Sequence, residues 1–171
     1  MVRPATINDL SAIVELRLAL LREYHEHPFY AKLRSNPRER AYDLYQNQLA
    51  SPFETIFIAE RDGEAVGLLR CVDTPTSPVL LPERYCYVSS VYVLPAERKK
   101  GVLRALIAAA DQWCENRGLS EMRLHNSAFS RDARQAWGKV GFEVVEEVRR
   151  RPIGKMHVKA KVHETARARA F

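Results

Sequence analysis

Cysteine is scarce, with Cys71, Cys86 and Cys114 the only three in a chain of 171 residues and no Cys-x-x-Cys pair among them. Such spacing supports neither a disulfide framework nor a zinc site, and it points to a reducing cytoplasmic compartment. Glycine (7) and proline (9) are too few for collagen-like or low-complexity chains. Long apolar runs are missing as well. The longest, Ala105 to Ala110, falls far short of the roughly 18 residues a membrane span requires, and no apolar stretch follows Arg3 and Pro4 as a secretory leader would. Neither membrane insertion nor secretion is expected, and no internal repeat is present. The net charge of +6 is a property of the chain end. Residues 149–171 hold eight Lys or Arg against Glu164, a net +7 that leaves 1–148 at −1. This basic end lacks interleaved aromatics apart from Phe171, so a nucleic-acid partner is not expected.

What remains, 46% hydrophobic and 28% charged residues, suits one globular core. We read residues 1–162 as one domain and 163–171 as a basic tail with the composition of a disordered end. Val2 to Ala5 suggests a first strand, and Leu10 to Leu21 carries apolar residues on a helical period. Arg38 to Leu49 reads as a second helix between two prolines. Residues 55–60 and 65–72 flank Asp62 and Gly63 as a hairpin, and Tyr85 to Val93 is rich in β-branched and aromatic residues. From Gly101 the apolar period becomes helical up to Gly118. Residues 121–125 read as a strand, Arg131 to Val140 as a helix, and 142–147 and 153–160 as two closing strands, which makes the order mixed α/β.

Chemistry is expected where Val93-Leu94-Pro95-Ala96-Glu97-Arg98-Lys99-Lys100-Gly101-Val102 ends a strand and opens a helix. Free backbone N–H groups and the positive helix end converge there, Gly101 permits close approach, and Arg98, Lys99 and Lys100 add charge-assisted donors, all of which suit a pyrophosphate. The alternative is a solvated basic turn.

The opening Val2 to Leu10, the hairpin, the Val91 to Gly101 segment and Ala136-Trp137-Gly138-Lys139-Val140-Gly141-Phe142 come in the order found in the GNAT superfamily of acyl-CoA-dependent N-acetyltransferases. The chain resembles that family over about residues 2–160. The resemblance implies a central mixed, mostly antiparallel twisted sheet of six to seven strands flanked by about four helices. It implies acetyl-CoA as acyl donor, no metal, and a small-molecule or peptide amine as acceptor, with a homodimer left open. The family pattern Gln/Arg-x-x-Gly-x-Gly/Ala is filled by Arg98, Gly101 and, departing from it, Leu103. Backbone amides from Arg98 through Lys99, Lys100, Gly101 and Val102 to Leu103 are thus implied to hold the CoA pyrophosphate, and Val91 and Val93 the pantetheine arm. A second pattern, Asn-x-x-Ala-x-x-Leu-Tyr before Gly-Phe, falls on Ser130, Ala133, Ala136 and Trp137. Ser130 can cap its helix, and Ser130, Ala133 and Trp137 are implied to touch the cofactor. Trp137 replaces a Tyr that in many relatives protonates the thiolate, and indole N–H is a poor proton donor.

The strand position where many relatives carry a Glu base is Ser89. In the family's direct-attack mechanism positioning supplies much of the rate, and Tyr85, Tyr87 and Tyr92 share this strand, any of which could donate a proton if it points into the cleft. Ser89, Tyr87 and Tyr92 are the candidate catalytic groups. Tyr24, His27, Phe29 and Tyr30 fall between the first two helices, a region that borders the acceptor pocket in the family. Their aromatic faces suit a cationic amine. Because Ser89, Leu103 and Trp137 depart from the family, a rival reading is an acyl-CoA-binding sensor without catalysis.

Overall fold

In the computed structural model, which describes residues 1–153, local sequence signals set the centre of the sheet. Strands β2 (Glu54–Arg61) and β3 (Glu64–Pro75) turn through Asp62 and Gly63, both with positive φ, the conformation that a two-residue hairpin turn demands. With β1 (Val2–Pro4), β4 (Arg84–Val93) and β5 (Met122–Leu124) they form a five-stranded sheet in the order β1-β2-β3-β4-β5. All neighbours are antiparallel except β4 and β5, which run parallel and so need a crossover.

That crossover is α3 (Val102–Asn116), which packs on one face of the sheet. Its buried residues Val102, Leu106, Ile107, Ala110 and Cys114 recur at helical spacing and meet Phe57, Leu69, Cys71, Cys86 and Val88. The opposite face carries α1 (Leu10–Glu23) and α2 (Pro37–Leu49), whose Ile13, Val14, Ala41 and Tyr45 close over Ile56, Ile58, Leu68 and Tyr92. Arg3 ties β1 to the start of α1 by bonding both Asp9 oxygens (2.7 and 2.8 Å) and Glu60 (2.5 Å). Helix α4 (Arg131–Lys139) follows β5.

The mixed sheet with four helices is the architecture expected, with five strands among the described residues instead of six to seven. Residues 142–147 form no strand. Val144 and Val145 are adjacent and both 81% exposed, so the segment buries no face, and no described residue pairs with it. The other closing strand expected, 153–160, lies outside the described residues beyond Ile153.

Candidate active site

The sheet opens at the carboxyl ends of its parallel pair. Cys86, Tyr87 and Val88 of β4 face Met122, Arg123 and Leu124 of β5, and from Ser89 onward β4 has no strand partner on that side among the described residues. At the same place its other ladder is interrupted. Leu68 pairs with Tyr92 and Arg70 with Ser89, so Ser90 and Val91 together oppose Leu69 in a β-bulge, with Ser90 at φ 52°. The extra residue reverses side-chain parity. Cys86 and Val88 pack with α3 while Tyr87 and Ser89 point to the α1 side, and beyond the bulge Tyr92 joins the α1 side. Backbone groups of Val91 and Val93 thus lie on a strand edge freed from β5, with their side chains against the α3 core.

On the α3 side of this split, the turn from Arg98 to Leu103 delivers the helix start. Lys99 (φ 62°) and Gly101 (φ 87°) are both left-handed, and a Cβ placed on Gly101 would meet nothing within 4 Å, so the backbone lies open to an approaching group. The first N–H groups of α3 point outward there. Val102 is buried and Leu103 partly buried in the α3 core, which leaves backbone donors as what they offer. The three cations differ in their engagements. Arg98 donates to both Glu23 oxygens (2.7 and 2.9 Å) and to the carbonyl of Val93 (3.0 Å), and Lys100 pairs with Glu97 (3.1 Å). Lys99 makes no ion pair among the described residues.

On the α1 side, each of the expected catalytic groups has a defined neighbour. The Ser89 hydroxyl accepts from Arg70 (3.1 Å), whose guanidinium is bound to Glu54 at 2.5 Å. An oxygen beside a guanidinium is a weak base. Tyr92 donates to Glu23 (2.9 Å), and burial together with that bond raises its pKa. The Tyr87 hydroxyl meets Nδ1 of His125 at 3.1 Å, and burial, with Tyr30 nearby, pushes its pKa upward.

The residues expected at the acceptor pocket form one aromatic cluster. His27 stacks on Tyr30 with centroids 4.5 Å apart, and Tyr24 and Phe29 meet it edge-on at 5.7 and 5.5 Å. Phe129, from the segment between β5 and α4, closes it at 6.0 Å. The backbone N–H of Phe29 donates to Nδ1 of His27, and burial lowers the pKa of that ring. His27 is therefore an aromatic wall whose Nδ1 accepts from the backbone.

Ser130 caps α4, accepting from the N–H of Ala133 at 3.2 Å. Trp137 lies edge-on to Phe142 at 5.4 Å and packs against the α3 core. A concavity of about 470 Å3 lies at the far end of α3 beside Cys114, Met122 and Phe142. A smaller one, about 180 Å3, abuts Lys100 and Gly101 from the β1 side. Neither contains the tyrosines or the aromatic cluster, which flank the open split.

Sequence reading missed His125, Arg70, Glu23 and Phe129. His125 carried a usable signal, because it sits one residue past a strand of a parallel pair, where α/β sheets place their ligands. Glu23 carried none, since its partner Arg98 is 75 residues away.

The chain matches the acetyltransferase (GNAT) family over residues 17–142. It is similar to the aminoglycoside N(6')-acetyltransferase type 1 of Klebsiella aerogenes, at 26% identity over 113 residues, 65% of this chain and 74% of that protein. A protein of the same description from Salmonella typhimurium is 31% identical over 99 residues, 54% of this chain, which spans 64% of that relative's length. A solved structure of an acetyltransferase from Clostridium acetobutylicum with acetyl-CoA shares the fold, with TM-score 0.73 at 18% identity over 92% of this chain and 99% of that one.

Proposed function

The chain belongs to the acetyltransferase (GNAT) family and is an N-acetyltransferase that uses acetyl-CoA, and we propose that its acceptor is the primary amine of a ring-bearing small molecule. One observation carries this reading: the split beyond Val88 and Leu124 has a helix start on one side and an aromatic cluster on the other. In this reading the amides from Arg98 to Leu103 hold the CoA pyrophosphate, with Lys99 as the cation free to reach it. The freed edge at Val91 and Val93 lines up the pantetheine arm, and Ser130, Ala133 and Trp137 border it from α4. The thioester then points toward Tyr87, Ser89 and Tyr92, and the amine enters past Tyr24, His27, Phe29 and Tyr30. A neutral amine attacks the thioester carbonyl directly, so alignment of the two reactants across the sheet supplies much of the rate.

The cluster favours a ring over a chain. Aromatic faces stack on a flat or cyclic body, whereas a linear polyamine needs several unpaired carboxylates. Glu23 is committed to Arg98, and Glu26, 91% exposed, is the carboxylate left nearby. The curated relatives above are described as acting on aminoglycosides, themselves ring-bearing amines, which supports the same class.

The test is thiol release from acetyl-CoA with tyramine, neamine and spermidine. The ring-bearing amines should turn over faster than spermidine. A preference for spermidine would remove the acceptor class, and no release above the amine-free background with any of them would favour the sensor reading.

A further inference from the structure

The departures at Ser89 and Trp137 leave the reaction without an obvious way to move its protons. Ser89 is held by Arg70, Tyr92 by Glu23 and Trp137 by Phe142, while Nδ1 of His27 is taken by a backbone N–H. One titratable pair at the split keeps unspent capacity. Tyr87 and His125 bracket the last rungs of the parallel ladder, Tyr87 opposite Arg123 and His125 one residue past Leu124. Their rings meet edge-on at 5.6 Å, their polar atoms lie 3.1 Å apart, and Nε2 of His125 has no hydrogen-bond partner among the described residues. Tyr87 faces Tyr30 from the loop after α1, Tyr85 on its own strand and Arg70 on β3. It is half-buried, while His125 is exposed at the mouth of the split.

We propose that Tyr87 and His125 act together as the proton-transfer pair of this acetyltransferase, with His125 receiving the proton of the acceptor amine and Tyr87 protonating the departing sulfur. The proposal rests on the acetyl-transfer reading above. In the starting state His125 carries its proton on Nδ1 and donates it toward the Tyr87 oxygen, which leaves the Nε2 lone pair open and the Tyr87 O–H free to donate. As the amine attacks, the new C–N bond forms and the amine N–H proton passes to Nε2. The C–S bond breaks, the Tyr87 proton passes to the CoA sulfur, and the Nδ1 proton of His125 replaces it on the Tyr87 oxygen. The products are the N-acetyl amide and the CoA thiol. The ring ends as the opposite tautomer, and proton exchange with water restores it. No net charge is created, which suits a half-buried tyrosine that burial keeps protonated.

The test compares the parent with Tyr87→Phe, His125→Gln and the double variant, using acetyl-CoA with tyramine and neamine and reading kcat, KM, the CoA dissociation constant by calorimetry and the pH profile of kcat. Each single variant should lose about a hundredfold or more in kcat at unchanged CoA affinity, the scale of general acid-base catalysis. The double variant should lose no more than the worse single, because the two act as a unit. The acid limb of the parent's kcat profile should be lost in His125→Gln, which cannot take up the proton. Either single variant within threefold of the parent, losses that multiply in the double variant, or a kcat loss matched by weaker CoA binding would overturn the proposal. A parent that turns over neither amine would instead sink the ring-bearing acceptor class of the reading on which the pair depends.

Discussion

Two glycines at opposite ends of α3 allow the CoA turn to be tested with its own control. Gly101 precedes the helix at φ 87° and Gly118 follows it at φ 67°, and a Cβ at either site meets nothing within 4 Å. Gly101→Asp and Gly118→Asp therefore share one folding cost, the placement of an L-residue in left-handed backbone, worth about 1 kcal/mol for a short polar side chain. Both should melt about 2–4 °C below the parent. They part company over CoA. At Gly101 the new carboxylate faces the proposed phosphate position, and two unit charges about 4 Å apart repel by about 1–4 kcal/mol between bulk water and a protein surface, or roughly fivefold to a thousandfold in affinity. At Gly118 it lies about 25 Å away along the helix, well beyond the ~8 Å screening length at physiological salt. Calorimetric titration with CoA should show a large loss for Gly101→Asp and none for Gly118→Asp. Equal melting losses with parent-like CoA affinity in both would remove the turn as the phosphate site.

Trp137→Phe keeps a ring against Phe142 and deletes the indole N–H, so kcat should change by less than about tenfold; a thousandfold loss at native CoA affinity would make Trp137 the acid. Cys71, Cys86 and Cys114 are all buried. A bond with Cys114 lowers the Cys86 thiol, but its bond with Cys71 and burial outweigh that and push it up to about 12, so a thiol reagent at pH 8 should label no cysteine in the native protein and three in guanidinium. Labelling before unfolding would contradict the packing of that cluster. The Arg3 guanidinium holds the Asp9 carboxyl well below the usual carboxylate range, with Thr6 adding to it against a smaller effect of burial. Stability from a depressed carboxylate is full above the unfolded value of about 3.9 and fades as pH falls toward the folded one. The gap in urea midpoint between the parent and Asp9→Asn should therefore be constant from pH 7 to 5 and shrink below about 4, and a gap undiminished at pH 2 would refute the ion pair as its source.

The elements legible in the sequence are those whose signals are local. Asp62 and Gly63 announce the hairpin because the turn itself demands positive φ, and α3 is announced by an apolar period that one helix face can read. The strand expected over 142–147 is absent for the converse reason. Residues 142–147 are rich in valine, but propensity expresses how a side chain fits a sheet already present, and no described neighbour presents one. The site was legible as a place and less so as an arrangement. Gly101 marked the turn, whereas Arg98, read as a phosphate cation, is turned to Glu23 by a pairing across 75 residues that no local pattern records.

The bulge shows why the catalytic groups in particular resist reading from sequence. Strict alternation along β4 puts Tyr87 and Tyr92 on opposite faces, since they are an odd number of residues apart. Ser90, a non-glycine residue at φ 52°, carries no turn chemistry that would announce an inserted position. Yet that one insertion returns Tyr92 to the α1 face with Tyr87 and Ser89, interrupts the β3 ladder beside the split, and leaves Val91 and Val93 on the edge that β5 has abandoned. Pairing on both sides of β4 is what would ordinarily fix such a strand in register, and the insertion falls where β5 no longer pairs with it. Tyr87, ahead of the bulge, meets His125 through regular pairing, whereas Tyr92, beyond it, is returned to the α1 face and diverted to Glu23, so the two tyrosines share a face only because of the irregularity.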